Sequence, residues 1–205
     1  ASCQRLGVQK IDLYQGHSPA ADLEAQADAL AAVVSAGLAD CIGICNVEDE
    51  RQLLRVVRRL ESQHGMRLAS CQVQLSLLHQ KHAFGPLLSR CRQLGVLLIA
   101  YSPLASGRLT GKYSSRTVPK GRGFGNCAVQ KLDPFLEELR KVSKECGHSP
   151  AQVALRWIAD LGNVLPIPGA KTGAQARDNV GSLGWTLTDD QHQRLALAGS
   201  KAAHC

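Results

Sequence analysis

An aromatic ring, hydroxyl groups, glycines and a lysine follow one another in "AYSPLASGRLTGKY", residues 100–113, and the apolar run "VLLIA" leads into them. The run predicts a strand whose end positions these groups. Glycines let the backbone approach a ligand closely, and a glycine-containing loop suits phosphate oxygens. We therefore expect this segment to bind a ligand. The groups available for contact are Tyr101, Ser102, Ser106, Gly107, Thr110, Gly111 and Lys112.

Strand-like apolar runs alternate with helical patterns along the whole chain. The five predicted strands cover residues 10–15, 40–45, 68–76, 96–102 and 163–169. One helix is predicted to begin at Ser149-Pro150, with a serine cap and a proline in its first turn. The other predicted helices cover residues 22–36, 48–64, 84–95, 130–147, 172–183 and 189–199. This alternation predicts an α/β fold with a parallel sheet and right-handed crossovers. The spacing fits an open doubly wound sheet or part of a (β/α)₈ barrel.

Polar residues accompany the other predicted strands as well. His17 follows the first strand, Asn46 follows the second and Gln72 lies in the third. The segment 169–179 follows the last strand and contains a second lysine, Lys171. In both candidate folds the carboxyl ends of the strands and the loops after them carry the chemistry. These residues are therefore the remaining site candidates.

Composition excludes several other classes of protein. The formal net charge is +7 and aromatic residues make up 4% of the chain. The densest basic cluster, Arg51, Arg55, Arg58 and Arg59, shares a predicted helix with leucines and valines, which indicates a solvated helix face. With few aromatic rings to stack on bases, no nucleic-acid partner is expected. No apolar run approaches the roughly 20 residues of a membrane span, so none is predicted.

Cysteine and histidine spacing favours neither a disulfide framework nor a metal site. The eight cysteines include no C-x-x-C pair, and the seven histidines lack metal-ligand spacing. Cys41, Cys45 and Cys71 lie in apolar runs, where a free cysteine packs as a small hydrophobe. We therefore expect free thiols in a reducing compartment and no metal site.

The strand-end motifs together resemble one family, the aldo-keto reductases. "IDLYQGH" resembles that family's "IDLYQLH", "IGICN" its "IGVSN", and "SCQVQLSLL" its "SNQVEYSLL". "IAYSPLASGRLTGKY" and "LPIPGAKTGAQARDNVGSLGWTLT" are similar to its seventh and eighth strands with their loops. The order and spacing agree along nearly the whole chain. The resemblance implies the C-terminal portion of a (β/α)₈ barrel, strands four to eight, in the plant and algal organellar branch.

The resemblance also implies roles for the nicotinamide end of an NADP(H) site. His17 matches the catalytic histidine that helps polarise the substrate carbonyl. Asn46 and Gln72 match the side chains that hydrogen-bond the nicotinamide carboxamide, and Tyr101 matches the aromatic ring that stacks on the nicotinamide.

Further matches fall on the phosphate and adenosine ends of the cofactor. Lys112 and Lys171 supply positive charge, which NADP needs more than NAD does. The loop over the pyrophosphate is matched by Ser102, Leu104, Ser106 and Lys112, with Arg122 further along. The segment that holds the adenosine and its 2′-phosphate is matched by Gly169, Lys171, Gln175, Asp178 and Asn179.

Two departures from the family pattern leave two hypotheses open. The family's catalytic Asp, Tyr and Lys come from its first three strands, and this chain begins just before the fourth. Cys45 and Cys71 stand where the family has Ser and often Asn. We expect residues 1–205 to form one domain, a partial barrel without the first three βα units. On the first hypothesis, the chain is part of an NADP(H)-dependent reductase of small carbonyl compounds. On the second, it is a truncated, non-catalytic family member that acts as a subunit or cofactor-sensing module of a larger complex, and its protein partners cover the exposed strands. The organellar resemblance indicates the chloroplast, with the cytoplasm as the alternative.

Overall fold

A computed structural model describes residues 1–47, 49–114, 117 and 129–203. Five parallel strands alternate with helices, which confirms the predicted α/β fold. The strands are β1 (Ile11–Gly16), β2 (Ala39–Cys45), β3 (Ser70–Gln74), β4 (Leu97–Tyr101) and β5 (Val164–Pro166). The helices are α1 (Ser2–Leu6), α2 (Leu23–Ser35), α3 (Glu50–His64), α4 (Pro86–Leu94), α5 (Val129–Cys146), α6 (Pro150–Asp160), α7 (Gly173–Val180) and α8 (Asp189–Ala203).

Three elements depart from the sequence prediction. A 3₁₀ helix, Ala105–Thr110, lies between the fourth predicted strand and the helix predicted from residue 130, and neither this helix nor the short α1 was predicted. Strand β5 is shorter than predicted and ends at Pro166. Proline has no amide hydrogen for a sheet, so Pro166 and Pro168 cannot donate. Ile167, between them, donates to the Ala100 carbonyl oxygen at 3.0 Å.

The chain divides into two compact units. Unit 1 comprises residues 1–73 and 85–99, and unit 2 comprises residues 74–84 and 100–205. The organisation of residues 1–205 as one domain stays a prediction.

Unit 1 contains the parallel strands β1 and β2, most of β3, and the helices α1 to α4. Ile11 of β1 pairs with Ala39 of β2, and Gly43 of β2 pairs with Ser70 of β3. Glycine is required at position 43, where β2 lies beside β3, because a Cβ there would lie 2.2 Å from the Ser70 hydroxyl oxygen. Cys41 is exposed, so the prediction that it packs as a small hydrophobe is wrong. Its side chain lines a cavity with Val34, Met66 and Arg67 instead of packing into the core.

Ion pairs connect α2 and α3 on the surface of unit 1. The Arg55 guanidinium donates to both carboxylate oxygens of Glu24, at 2.9 and 2.6 Å. Arg59 does the same to Asp28, at 2.8 and 2.7 Å, and His64 contacts Asp28 at 2.7 Å. Arg59 and His64 hold the pKa of the Asp28 carboxyl well below its ordinary value. Two arginines of the predicted solvated face therefore pair with a neighbouring helix while staying partly exposed.

The core of unit 2 is built around Trp157 of α6. Its side chain is fully buried, and its indole N–H donates to the His192 carbonyl oxygen at 3.2 Å. The His192 ring stacks on the indole, with 5.1 Å between the ring centroids. The Phe84 ring meets the indole edge-on, with 6.0 Å between the centroids. Helix α8 also approaches residues 77–80 closely at Gly199, whose missing Cβ would lie 2.1 Å from the Leu77 carbonyl oxygen.

A buried imidazole predicts a pH-dependent stability for unit 2. His82 is 8% exposed, and burial, followed by the charge of Lys81, lowers its pKa from 6.5 to about 4. The folded state therefore disfavours the protonated ring. The contribution of His82 to stability is full above pH 6.5 and decreases as the pH falls from 6.5 towards about 4.

Replacing His82 with glutamine should remove this dependence. Between about pH 7.5 and about pH 4.5 the wild-type unfolding free energy should fall by about 2 kcal/mol more than that of H82Q. Urea denaturation of both proteins at the two pH values measures the difference. Parallel losses in the two proteins would contradict the assignment.

Candidate functional site

A cavity of about 590 Å³ lies within unit 2, where two predicted ligand segments meet. One segment follows β4 and the other follows β5. A volume of this size is in the usual range for ligand pockets, roughly 300–1,000 Å³. The lining residues are Ser102, Pro103, Leu104, Ser106, Gly107, Thr110, Lys112, Tyr113, Ala151, Ile167, Gly169, Ala170, Lys171, Gln175, Asp178 and Asn179.

The loop after β4 has an unusual backbone. Ser102, Ala105 and Ser106 have φ values of 52°, 48° and 57° without being glycine. Left-handed backbone costs on the order of 1 kcal/mol at such residues and clusters at ligand sites. The buried side chains of Ala105 and Leu109 anchor the loop. Amide groups in successive turns of this kind form concave anion sites.

Gly111 lets this loop pass close to the start of α6. Its φ is 76°, and a Cβ there would lie 2.9 Å from Cγ of Pro150. The Thr110 hydroxyl donates to the Gly107 carbonyl oxygen at 2.7 Å, which closes the last turn of the loop. The glycines noted in the sequence therefore shape the cavity wall.

Two lysines give the cavity positive charge. Lys112 and Lys171 are exposed at its lining, and within the described residues neither ammonium has an ion-pair partner. The backbone N–H of Lys171 donates to Oε1 of Gln175 at 2.7 Å, and the Thr172 hydroxyl accepts from the Gln175 N–H at 3.3 Å. These bonds fix the turn into α7. The cavity thus offers cationic donors to an anionic ligand.

The last lining residues lie on α7. Oδ1 of Asp178 accepts from the Ser149 hydroxyl at 2.9 Å and from the Gln152 amide at 3.0 Å. The Asn179 carbonyl oxygen accepts from the Ser182 hydroxyl at 2.7 Å. Asp178 and Asn179 are half-buried, so α7 presents a carboxylate and an amide to the cavity.

Three further candidates lie in unit 1, at the carboxyl ends of its strands. The Asn46 N–H donates to the Gln72 carbonyl oxygen at 2.7 Å, and Asn46 has a φ of 59°. His17 follows β1 and is exposed. Unit 1 therefore brings Asn46 and Gln72 together. Tyr101 belongs to unit 2, where its carbonyl oxygen accepts from the Leu75 N–H at 3.3 Å.

The two cysteines that depart from the family pattern are buried neutral groups. Burial raises the pKa of the Cys45 thiol. The hydrogen bond with Cys91, followed by burial, raises the pKa of Cys71 well above its ordinary value. Both thiols therefore pack as small apolar groups beside Asn46 and Gln72, as the sequence predicted for them.

Some site residues gave no signal in the sequence, and one candidate lies outside the described residues. Arg122 is that candidate. Ala151 lines the cavity and gave no such signal, whereas Tyr113, Ile167 and Ala170 lie in segments that the sequence indicated but were not singled out there as ligand groups. The contact of Ser149 and Gln152 with Asp178 joins residues 26 to 29 positions apart. A helix cap could be recognised at Ser149, but its partner in α7 could not.

A second cavity, of about 600 Å³, lies between α5 and α8 in unit 2. Arg194 lines this cavity, and its guanidinium already forms ion pairs with three carboxylates. The nitrogen–oxygen distances to Glu145, Glu138 and Asp190 are 2.9, 2.7 and 3.1 Å. Hydrogen bonds to these carboxylates raise the pKa of Arg194 above its ordinary value. Besides Arg194, the cavity is lined by the charged residues Glu138 and Lys201 and by apolar residues. The convergent polar groups of the first cavity make it the better candidate for a ligand site.

Comparison with known proteins identifies the family that this chain resembles. The chain matches the family model described as "Aldo/keto reductase family" over residues 1–198. It is 36% identical to a chloroplastic pyridoxal reductase of Arabidopsis thaliana over 210 residues, which cover 98% of this chain and 56% of the relative. It is 31% identical to the aldo-keto reductase str7 of Strobilurus tenacellus, over 93% of this chain and 58% of the relative. The chain therefore spans somewhat more than half the length of these relatives.

Solved structures support the same fold. A glycerol dehydrogenase from Gluconobacter oxydans matches with a TM-score of 0.85 and 25% identity, over 98% of this chain and 62% of that chain. A thermostable aldo-keto reductase in complex with the inhibitor epalrestat matches with a TM-score of 0.76 and 26% identity, over 96% and 63% of the two chains. These neighbours are (β/α)₈ barrels, of which this chain matches about 60%.

Proposed function

The chain belongs to the aldo/keto reductase family, and on that premise we propose that it supplies the NADP(H) site of a reductase of small carbonyl compounds. The observation that carries this proposal is the cavity in unit 2, where a left-handed loop and two lysine ammonium groups meet. Among the described residues both ammonium groups lack an ion-pair partner, so a ligand with several negative charges suits them.

The lining fits the phosphate groups of such a cofactor. Ser102, Ser106 and Lys112 place hydroxyls and a cation on the loop, beside the backbone of Leu104. We assign these groups to the pyrophosphate. A side chain at Gly169 would meet no atom within 4 Å of its Cβ, so the cavity is open at that point.

The second segment suits the adenosine end. Lys171 offers a cation to the 2′-phosphate, and Gln175 holds its backbone amide in place. Asp178 and Asn179 offer acceptor and donor groups to the nucleoside. A preference for NADP(H) over NAD(H) follows from the cation at this end.

The family position of the other candidates assigns them to the reacting end. When bound, NADP(H) supplies the hydride that reduces the carbonyl carbon. We propose that Tyr101 stacks on the nicotinamide ring and that Asn46 and Gln72 bind its carboxamide. His17 would donate a hydrogen bond to the carbonyl oxygen and so stabilise the charge that develops there.

The relatives suggest a substrate class for the first test. One is a pyridoxal reductase assigned to the chloroplast. We propose an aldehyde on a small aromatic ring as the substrate, with pyridoxal as the compound to try first, and the chloroplast as the location of the protein.

Nucleotide titration tests the cofactor assignment directly. Isothermal titration calorimetry of the chain with NADPH and with NADH should give a dissociation constant about tenfold lower for NADPH, because one charge-assisted contact to the 2′-phosphate is worth about 1.5 kcal/mol. Absence of NADPH binding, or equal affinity for the two nucleotides, would overturn the assignment. Consumption of NADPH with pyridoxal then tests the substrate class separately.

A further inference from the structure

Helix α6 begins with a capping box. The Ser149 hydroxyl accepts from the Gln152 N–H at 3.2 Å, and Oε1 of Gln152 accepts from the Ser149 N–H at 3.0 Å. Two amide groups at the helix start are satisfied in this way, which is the usual role of a capping box.

The same two side chains also reach across to α7. The Ser149 hydroxyl donates to Oδ1 of Asp178 at 2.9 Å. The amide nitrogen of Gln152 donates to the same oxygen and to the Asp178 carbonyl oxygen, both at 3.0 Å. A helix start therefore holds a carboxylate that lines the cavity.

Neighbouring groups fix this arrangement in one orientation. A Cβ on Gly181 would lie 2.2 Å from the amide nitrogen of Gln152, so glycine leaves the room that this side chain needs. Nδ1 of His148 lies 3.3 Å from Oε1 of Gln152, and the His148 ring stacks on Trp185 at 3.9 Å. The Trp185 indole N–H donates to the Gly181 carbonyl oxygen at 3.0 Å.

We propose that Ser149 and Gln152 are positioning residues for nucleotide binding, which they promote by holding the Asp178 carboxylate through Oδ1. This inference rests on the NADP(H) site proposed above. Among the described residues no group donates to Oδ2 of Asp178, so that oxygen stays available to an N–H or O–H donor of the nucleoside. A carboxylate held in place before binding loses little conformational entropy when the ligand arrives.

A second capping box in the same unit supplies a matched comparison. At the start of α8, the Thr188 hydroxyl accepts from the Gln191 N–H at 3.2 Å, and Oε1 of Gln191 accepts from the Thr188 N–H at 3.1 Å. The Gln191 amide also donates to a carboxylate, that of Glu145, at 3.3 Å. Gln191 and Glu145 lie outside the cavity lining, so this box caps α8 and contacts α5 without reaching the cavity.

Replacing each glutamine with glutamate separates capping from positioning. Glutamate serves in a capping box as well as glutamine does, but it cannot donate to a carboxylate. Q152E should therefore raise the dissociation constant of NADPH at least about tenfold, the value of one lost hydrogen bond to a charged group. Q191E should leave it within about twofold of wild type, while thermal unfolding changes to a similar extent in both variants.

Three further variants test the contribution of Ser149 and whether the effect passes through Asp178. S149T keeps the hydroxyl and should bind NADPH within about twofold of wild type, whereas S149A should bind about tenfold more weakly. In a D178A background, Q152E should add less than about a twofold loss, because coupled residues are not additive.

The outcomes distinguish this inference from the proposed function. If the wild-type chain does not bind NADPH, the proposed function fails and this inference fails with it. If wild type binds and Q152E binds equally well, or if Q152E weakens binding as much in D178A as in wild type, only the positioning role is overturned.

Discussion

Alanine at both Lys112 and Lys171 should weaken NADPH binding about 100-fold, as two charge-assisted contacts worth about 1.5 kcal/mol each are lost. Each lysine lines the cavity and lacks an ion-pair partner within the described chain, so no internal ion pair is broken when it is removed. Stability should therefore change little, and the loss should appear in the dissociation constant.

Calorimetric titration of the double variant and of each single variant measures this loss. K171A alone should also reduce the preference for NADPH over NADH, since we assign Lys171 to the 2′-phosphate. Added salt should weaken wild-type binding more than binding by the double variant, because salt screens exposed charges. Lys141 supplies the control: it is an exposed lysine on α5 outside the cavity, and K141A should bind as wild type does. Unchanged affinity in the double variant would remove the basis for the cofactor assignment.

Valine at Gly199 should destabilise unit 2 by about 3 kcal/mol, the upper part of the range for overpacking. A Cβ at this position would lie 2.1 Å from the Leu77 carbonyl oxygen and 2.6 Å from the amide nitrogen of Gln80. That amide nitrogen donates to the carbonyl oxygens of Leu77 and Ala196, at 2.7 and 3.0 Å, and so connects residues 77–80 to α8. Any side chain at position 199 must push the backbone of residue 77 away and break this connection.

Chemical denaturation measures the free energy of unfolding of G199V, of G199A and of the control Q193A. Gln193 is exposed on the same helix. The alanine variant should also lose stability, even though alanine favours helix by about 1 kcal/mol over glycine. Q193A should stay within about 0.5 kcal/mol of wild type. A wild-type stability for G199V would show that α8 can shift away without cost.

The order of strands and helices could be predicted from the sequence because each signal is local. Apolar runs define β1 to β5, and the helix caps Asp22, Asp49 and Ser149 accept backbone N–H groups two or three residues ahead. Such contacts lie within one turn of chain, where residue spacing determines geometry.

Contacts between distant segments could not be predicted in the same way. Nothing in the spacing of Arg55 and Arg59 indicates that their partners, Glu24 and Asp28, lie 31 residues earlier. The close approach of Gly199 to Leu77 depends on the docking of a helix against a loop 122 residues away. Sequence periodicity identifies the buried face of a helix but not the atoms that it meets.

The candidate site illustrates both cases. The family motifs identified Ser102, Lys112 and Lys171, and these residues do line one cavity. The positive φ values at Ser102 and Ser106 could not be inferred, because serine rarely adopts such a backbone and tertiary packing imposes it. The hydrogen bonds from Ser149 and Gln152 to Asp178 could not be predicted either. The capping motif already explains why serine and glutamine occur at these positions, and it gives no indication of a contact with α7.

The stack of His148 on Trp185 gives the molecule a natural optical reporter. The chain has two tryptophans, and the other, Trp157, is fully buried in the core of unit 2. The Trp185 indole lies 3.9 Å from an imidazole that contacts Gln152, and Gln152 holds Asp178. Excitation of the unlabelled protein therefore probes the neighbourhood of the proposed adenosine end, and we expect the emission of Trp185 to change when NADPH binds.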